Sequence, residues 1–196
     1  MSLDMINGDI LTAAAAFGKT ESDMVFGQGP FGAKLMLIGE APGAEETRLS
    51  RPFVGRAGKN LDEFLAAIQL ERPSIYITNV VKFRPFKTSA KGTLSNRPPE
   101  KAEIACMKPL LLREIEAVCP RVVVTLGNVP LKCLADNSAT IGAYHAVPTT
   151  AVALSHTFTL FPLYHPASII YNPSLRTVYD DDLVKLRVLL DKLFVV

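Results

Sequence analysis

Polar residues and glycines that could do chemistry follow four apolar segments of the chain. They are the sequence GEAPG at 39–43, Asn79, the pair Gly127-Asn128 and the sequence HPAS at 165–168. Amide, carboxyl and imidazole groups can recognise a ligand by hydrogen bonding, and glycines allow it to approach the backbone closely. Taken singly, three of the four have a plainer interpretation: a turn at GEAPG, a turn or cap at Asn79, and an ordinary satisfied histidine at His165.

The apolar segments are typical of β-strands, and stretches of helical period separate them. The predicted strands are 34–38, 75–78, 121–126 and 157–164. The predicted helices are 57–70, 98–118 and 175–193, and the alanines at 13–16 fit an N-terminal helix. Because the strands are continuously apolar, they indicate a parallel sheet that is buried on both faces. We therefore predict an α/β fold, a doubly wound three-layer αβα domain around a four-stranded, mainly parallel sheet.

The position of the polar segments in this fold predicts a binding pocket. In open α/β sheets, ligands bind beyond the carboxyl ends of the strands. All four segments come directly after a predicted strand, so we expect them to converge on one edge of the sheet.

Length and composition favour a single domain over residues 1–196. The 196 residues are 48% hydrophobic and 20% charged, which argues against a disordered or fibrous chain. No apolar run approaches the roughly 18 residues of a membrane span, so we expect a soluble, cytoplasmic protein with no membrane partner. The three cysteines include no CxxC pair and argue against a disulfide framework or a complete four-cysteine metal site.

Positive charge is local rather than global. The formal net charge is only +2, yet residues 80–97 contain no acid and five basic side chains: Lys82, Arg84, Lys87, Lys91 and Arg97. Residues 84–99 also form the longest predicted loop. The basic stretch, residues 82–97, is either a merely solvated loop or a surface that attracts phosphate groups.

A series of motifs, taken in order, resembles the uracil-DNA glycosylase superfamily, most closely its iron–sulfur branch, often called family four. They are VFGQG at 25–29, KLMLIGEAPG at 34–43 followed by Glu45-Glu46, RPFVGRAG at 51–58, YITN at 76–79, HPAS at 165–168 and NPS at 172–174. The motifs span most of the chain, and together they form a specific signature. The resemblance implies a hydrolase that removes uracil from DNA and so starts base excision repair.

The resemblance also implies a set of base-binding residues. A uracil must be flipped out of the helix before its glycosidic bond can be reached, and Phe53 is then the ring on which it stacks. The Asn79 amide accepts from uracil N3–H and donates to O4, a pattern that cytosine does not match. Glu46 lies against C5, where it opposes the methyl group of thymine. Backbone amides around Gly39 and Ala41 add further donors.

Two residues are implied to be catalytic. His165 donates to uracil O2, where negative charge accumulates as the base departs. Glu40 is the candidate base for the attacking water. The best-known glycosylases of the superfamily carry an aspartate at the position of Ala41, so here the water is held differently or the rate is reduced.

The resemblance further implies a DNA-binding surface. Lys82 and Arg84 of the basic stretch would attract phosphates, and three polar side chains near the last helix would bond phosphate oxygens: Ser168, Asn172 and Ser174. A wedge from residues 169–171 would fill the space that the flipped base leaves. For Ser174, capping of the last helix is the competing interpretation.

One departure from the family concerns the iron–sulfur cluster. The branch holds its cluster with four cysteines, whereas this chain has none at 12–17, Phe83 at the third position and only Cys106 at the fourth. One thiolate cannot hold such a cluster. We therefore expect no cluster and no metal, with apolar packing around Ala15 and Phe83 instead. The expected partner is uracil-containing DNA, bound by a monomer.

Two alternatives stay open. The first is a glycosylase for another base, such as hypoxanthine, xanthine or a mismatched uracil, although the Asn79 amide suits a purine poorly. The second is a protein that binds uracil or damaged DNA with little catalysis, which Ala41 and the missing cysteines favour.

Overall fold

The computed structural model describes residues 2–194, apart from the side chains of Arg56 and Ala57. Its α-helices are α1 (Leu3–Ala15), α2 (Ala44–Leu49), α3 (Arg56–Ala67), α4 (Lys101–Val118), α5 (Asn128–Leu134), α6 (Ile141–Tyr144), α7 (Ser168–Tyr171) and α8 (Arg176–Phe194). Its strands are β1 (Leu35–Gly39), β2 (Tyr76–Asn79), β3 (Phe86–Thr88), β4 (Leu94–Asn96), β5 (Val122–Leu126), β6 (Thr149–Ala153) and β7 (His156–Leu163). No helix of this described part is long and apolar enough to cross a membrane.

The main sheet has five strands in the order β2-β1-β5-β7-β6. The first four are parallel and correspond to the four predicted strands, while β6 pairs antiparallel with β7 at the edge. The sequence prediction missed β6 because that strand is half exposed and its inward residues, Ala151 and Ala153, are small. The predicted α/β fold is confirmed, with one strand more than expected.

Continuous burial of the strands explains the three layers. Residues Leu35 and Leu37 of β1 face one core cluster, whereas Met36 and Ile38 face the other. Helices α1, α4 and α5 cover the Met36 face, and α3 and α8 cover the Leu35 face. Burial on both faces is what a parallel sheet inside an αβα domain requires.

Helix α4 begins three residues later than predicted because its cap is built from Glu100 and Glu103. The Glu103 carboxylate accepts a hydrogen bond from the Glu100 backbone N–H at 2.6 Å, and Glu100 itself is extended. This capping box satisfies donors that the first helical turn leaves free. The preceding segment was predicted to be a loop, but it contains the two-stranded hairpin β3–β4.

Candidate active site

A pocket of about 360 Å³ opens at the carboxyl ends of β1, β2 and β7. The strand order reverses between β1 and β5, and a crevice is expected at such a point. Five residues singled out for base binding or catalysis line the pocket: Ala41, Glu46, Phe53, Asn79 and His165. The third polar segment does not line it: Gly127 packs behind the His165 Cβ, and Asn128 accepts from the Ile141 N–H at 2.8 Å.

Gly39 lets two of these side chains meet at the pocket floor. A Cβ atom at position 39 would lie 2.4 Å from Asn79 Oδ1 and 2.5 Å from the Phe53 ring. Both distances are shorter than any normal contact, so the glycine is a steric requirement for this arrangement. The Asn79 amide is buried and lies beside the aromatic ring.

The loop that carries Phe53 is held in an unusual conformation. The backbone of Phe53 has a φ of 53°, a conformation that residues other than glycine rarely adopt. The Arg72 guanidinium donates to the carbonyl of Phe53 at 2.6 Å and to that of Gly58 at 3.1 Å. Arg72 also pairs with Asp62 at 2.6 Å. These contacts hold the ring against the pocket and offset the backbone strain.

His165 is a neutral donor aimed by its own loop. Its Nδ1 accepts from the Ala167 backbone N–H at 3.1 Å, so the proton of the neutral ring is on Nε2. Burial lowers the pKa of His165 to about 4, and the Glu46 carboxylate opposes this shift only partly. The Asn60 side chain donates to the Pro166 carbonyl at 2.9 Å and ties this loop to α3. Phe53 stacks with the His165 ring at a centroid distance of 6.0 Å.

The carboxylates at the pocket are Glu45 and Glu46 of α2, rather than Glu40. The Gly55 backbone N–H donates to Glu46 Oε1 at 2.8 Å and fixes that side chain. Glu40 is partly buried, burial raises its pKa, and its carbonyl accepts from the Val81 N–H at 3.1 Å. Its side chain is not brought into the pocket lining, so its predicted role with water stays a prediction.

Lys82 was predicted to contact DNA, and the structure corrects that prediction. Its side chain is 1% exposed and pairs with the equally buried Glu114 at 2.6 Å. A buried, paired ammonium cannot meet a phosphate on the surface. Of the other basic residues in this stretch, Lys87 and Lys91 are exposed, whereas Arg97 pairs with Glu103 at 2.7 Å.

The remaining predicted DNA contacts do not line the pocket themselves, but they lie beside residues that do. Arg84 donates to Asn96 Oδ1 at 2.7 Å, and Asn96 itself lines the pocket. Ser168 begins α7, and its backbone N–H donates to the His165 carbonyl at 2.8 Å. Asn172 Oδ1 accepts from the Ser174 hydroxyl at 2.6 Å and caps the short turn Pro173–Leu175. Ser174 lies inside this turn and directs its hydroxyl to Asn172 rather than to the start of α8.

The segment 169–171 presents two apolar side chains to solvent. Ile169 packs against the core, whereas Ile170 is 46% exposed and Tyr171 is 83% exposed at the pocket rim. Only Ile170 and Tyr171 therefore have the freedom to enter a base stack.

Sequence reasoning missed three residues that position the site: Asn60, Arg72 and Asn96. Asn96 lies near the end of the basic stretch, in the sequence NRPP, and its polar type was the one available signal. Arg72 and Asn60 act on main-chain carbonyls far away in sequence, a type of contact that no local motif displays.

The residues at the expected cluster position do not suit a four-thiolate ligand set. Phe83 is fully buried and its ring lies 5.7 Å from that of Phe17, while Cys106 Sγ faces the Ala13 carbonyl at 3.9 Å. Ala14, not Ala15, takes the buried place in α1, since Ala15 is exposed. Among residues 2–194, no three histidine, cysteine or acidic side chains are grouped so as to hold a metal ion.

The chain is similar to known proteins over most of its length. The sequence profile described as the uracil DNA glycosylase superfamily matches residues 26–187. A type-4 uracil-DNA glycosylase of Sulfurisphaera tokodaii is 35% identical over 95% of this chain and 84% of its own length. One from Archaeoglobus fulgidus is 34% identical over 94% of this chain and 92% of its own length. The crystal structure of Pedobacter heparinus SMUG2 has a TM-score of 0.56 at 14% identity, covering 80% of this chain and 76% of that one.

Proposed function

The chain belongs to the uracil-DNA glycosylase superfamily, and from this premise we propose that it hydrolyses the bond between uracil and deoxyribose in DNA. The observation that carries the proposal is the meeting of three groups in one pocket. These are the Asn79 amide, the Phe53 ring and the neutral His165 imidazole. Together they offer a stacking face, a base-reading amide and a donor for developing charge.

Base recognition falls to Asn79 and Phe53. The flipped uracil stacks on the Phe53 ring, and the Asn79 amide accepts from N3–H and donates to O4. Cytosine has an acceptor at N3 and a donor at position 4, so it would leave the buried Asn79 amide unpaired. Glu46, whose carboxylate accepts from the Gly55 N–H, would oppose a methyl group on C5.

Bond cleavage falls to His165. When the C1′–N1 bond breaks, its electron pair passes to the base and is delocalised onto O2. A donor that is fixed in advance stabilises this charge without reorganisation, and the Nε2–H of His165 is such a donor. The oxygen of a water molecule then bonds to C1′ and loses a proton to a carboxylate base, for which Glu40 remains the candidate.

DNA binding would use the exposed groups around the pocket. Lys87 and Lys91 of the hairpin are exposed cations, and Arg84 donates to Asn96, which belongs both to the hairpin and to the pocket lining. Ile170 or Tyr171 would fill the gap in the base stack, as apolar wedges do in other proteins that flip bases. We propose that a monomer in the cytoplasm binds the DNA in this way.

The direct test is a cleavage assay on oligonucleotides that carry one uracil. They are offered single-stranded and opposite guanine or adenine, and alkali then converts abasic sites into strand breaks. Breaks only at uracil would support the proposal. Tight uracil-dependent binding without breaks would instead favour a DNA-binding protein with no catalysis, and no effect of uracil on binding or cleavage would reject both.

Adding one methyl group at Gly39 should lower the rate of uracil release by about 100-fold. In Gly39→Ala the new Cβ forces Asn79 and Phe53 apart, and a displacement of about 1 Å in an active site can cost about 100-fold in rate. The control is Gly8→Ala in α1, where a Cβ meets nothing within 4 Å. Equal uracil-release rates for the two variants would show that the pocket floor is not used.

We expect the purified protein to be active without iron. The Phe17–Phe83 packing occupies the expected cluster position, and Cys106 alone cannot supply the ligands. Iron analysis should give far less than one atom per chain, and Cys106→Ala should keep wild-type activity. Stoichiometric iron that is lost in Cys106→Ala would contradict this expectation.

A further inference from the structure

A buried polar network lies directly beneath the base-reading residue. The Lys82 ammonium, at the end of a side chain that folds back along β2, has three acceptors. They are Thr78 Oγ1 at 2.6 Å, Glu114 Oε2 at 2.6 Å and the main-chain carbonyl of Asn79. An ammonium has three protons, so every donor of Lys82 is used inside the protein.

Glu114 anchors this network to α4. Its Oε1 accepts from the Tyr76 hydroxyl at 3.0 Å and from the Thr78 hydroxyl at 3.1 Å. Gly27 packs so closely that a Cβ there would lie 2.3 Å from Glu114 Oε1. The carboxylate therefore has little room to move, and neither does the ammonium that it holds.

The network controls one peptide unit in particular. The carbonyl of Asn79 accepts from Lys82, and the N–H of the same peptide, which belongs to Val80, donates to the Gly39 carbonyl at 2.9 Å. Both polar ends of the peptide plane are thus fixed. The orientation of this plane sets the backbone of Asn79 and hence the direction in which its side chain leaves the chain.

We propose that Lys82 is a positioning residue for Asn79, and that its hydrogen bond to the Asn79 carbonyl aims the base-reading amide. The proposal rests on the proposed function, because it assigns a role within uracil recognition. Fold stability alone explains the pair poorly, since replacing a buried ion pair by apolar groups is often neutral or stabilising. An apolar pair could not donate a hydrogen bond to the Asn79 carbonyl, and so it could not fix the orientation of this residue.

Two variants isolate this hydrogen bond. Glu114→Gln removes the charge pair but leaves the Lys82 amine able to donate to Asn79. The double variant Lys82→Met with Glu114→Gln removes that donor too and leaves no unpaired charge. We expect kcat for uracil release to fall about 100-fold from the single to the double variant, the cost of roughly 1 Å of misplacement. KM should change little.

A double-mutant cycle with Asn79→Ala separates positioning from general destabilisation. If Lys82 acts through Asn79, adding Lys82→Met and Glu114→Gln to Asn79→Ala costs no further activity. The control for lost stability is Leu111→Ala, which creates a cavity on the core face of α4. This variant should keep the wild-type kcat at a temperature where the protein is folded. Additive losses would overturn the positioning role. Inactive wild-type protein would instead reject the proposed function.

Discussion

Asn79→Ala should lower the preference of the protein for uracil over cytosine by about 10⁴-fold, the scale on which a site built for hydrogen bonding rejects a mismatched partner. The amide is buried beside the Phe53 ring, so neither of its bonds to the base can be replaced by bulk water. Most of this change should come from slower uracil release. The measurement is single-turnover base release from matched uracil and cytosine oligonucleotides.

The control for this prediction is Asn137→Ala, which removes the same side chain from an exposed position outside the pocket. It should leave release rates and preference unchanged. If Asn79→Ala retains the wild-type preference while Asn137→Ala is also silent, another group reads the base edge.

His165→Ala should lower the kcat for uracil release by about 10² to 10³-fold, the usual cost of losing one fixed donor to a developing anion. Substrate binding should change much less, because the charge on O2 is small until the bond breaks. The control is His156→Ala, since His156 lies at the opposite end of β7 and contacts the Pro120 carbonyl at 2.7 Å. A loss confined to KM would contradict the assigned role.

The pH dependence of the rate and of the stability follows from the burial of His165. Because the pKa of His165 is lowered from 6.5 to about 4, its protonation should not affect the rate near pH 6.5. Below pH 6.5 the unfolded chain takes up a proton that folded His165 does not. The stability that this histidine contributes is therefore complete above pH 6.5 and is lost as the pH falls toward 4. A rate that titrates with His165 near pH 6.5 would show a charged imidazole instead.

The sequence allowed the central sheet and much of the pocket to be predicted. Each parallel strand is a continuous apolar run. Three of these strands lead directly to a residue of the pocket region: β1 ends at Gly39, β2 ends at Asn79, and His165 follows β7. Because parallel strands end at one edge, their last residues had to lie close together. The edge strand β6 lacks such a run and was missed.

The rest depended on contacts that a linear reading does not display. Lys82 looks like one of five surface cations in the sequence, and only the packing of α4 against β2 brings Glu114 to it and buries both. Arg72 stabilises the Phe53 loop by donating to a main-chain carbonyl. Every residue has such a carbonyl, so the residue types in the sequence do not indicate this contact. Ala14 and Ala15 differ only in helical phase, so a run of four alanines could not show which one faces the core.

In the proposed function, one pocket both recognises uracil and releases it. The most direct test compares base release by the wild-type protein from four duplexes that differ in a single base: uracil, thymine, cytosine or hypoxanthine. Free uracil and an abasic site should appear, and the other three bases should stay attached. Release of hypoxanthine at a comparable rate, or tight uracil binding with no release, would contradict the proposed function.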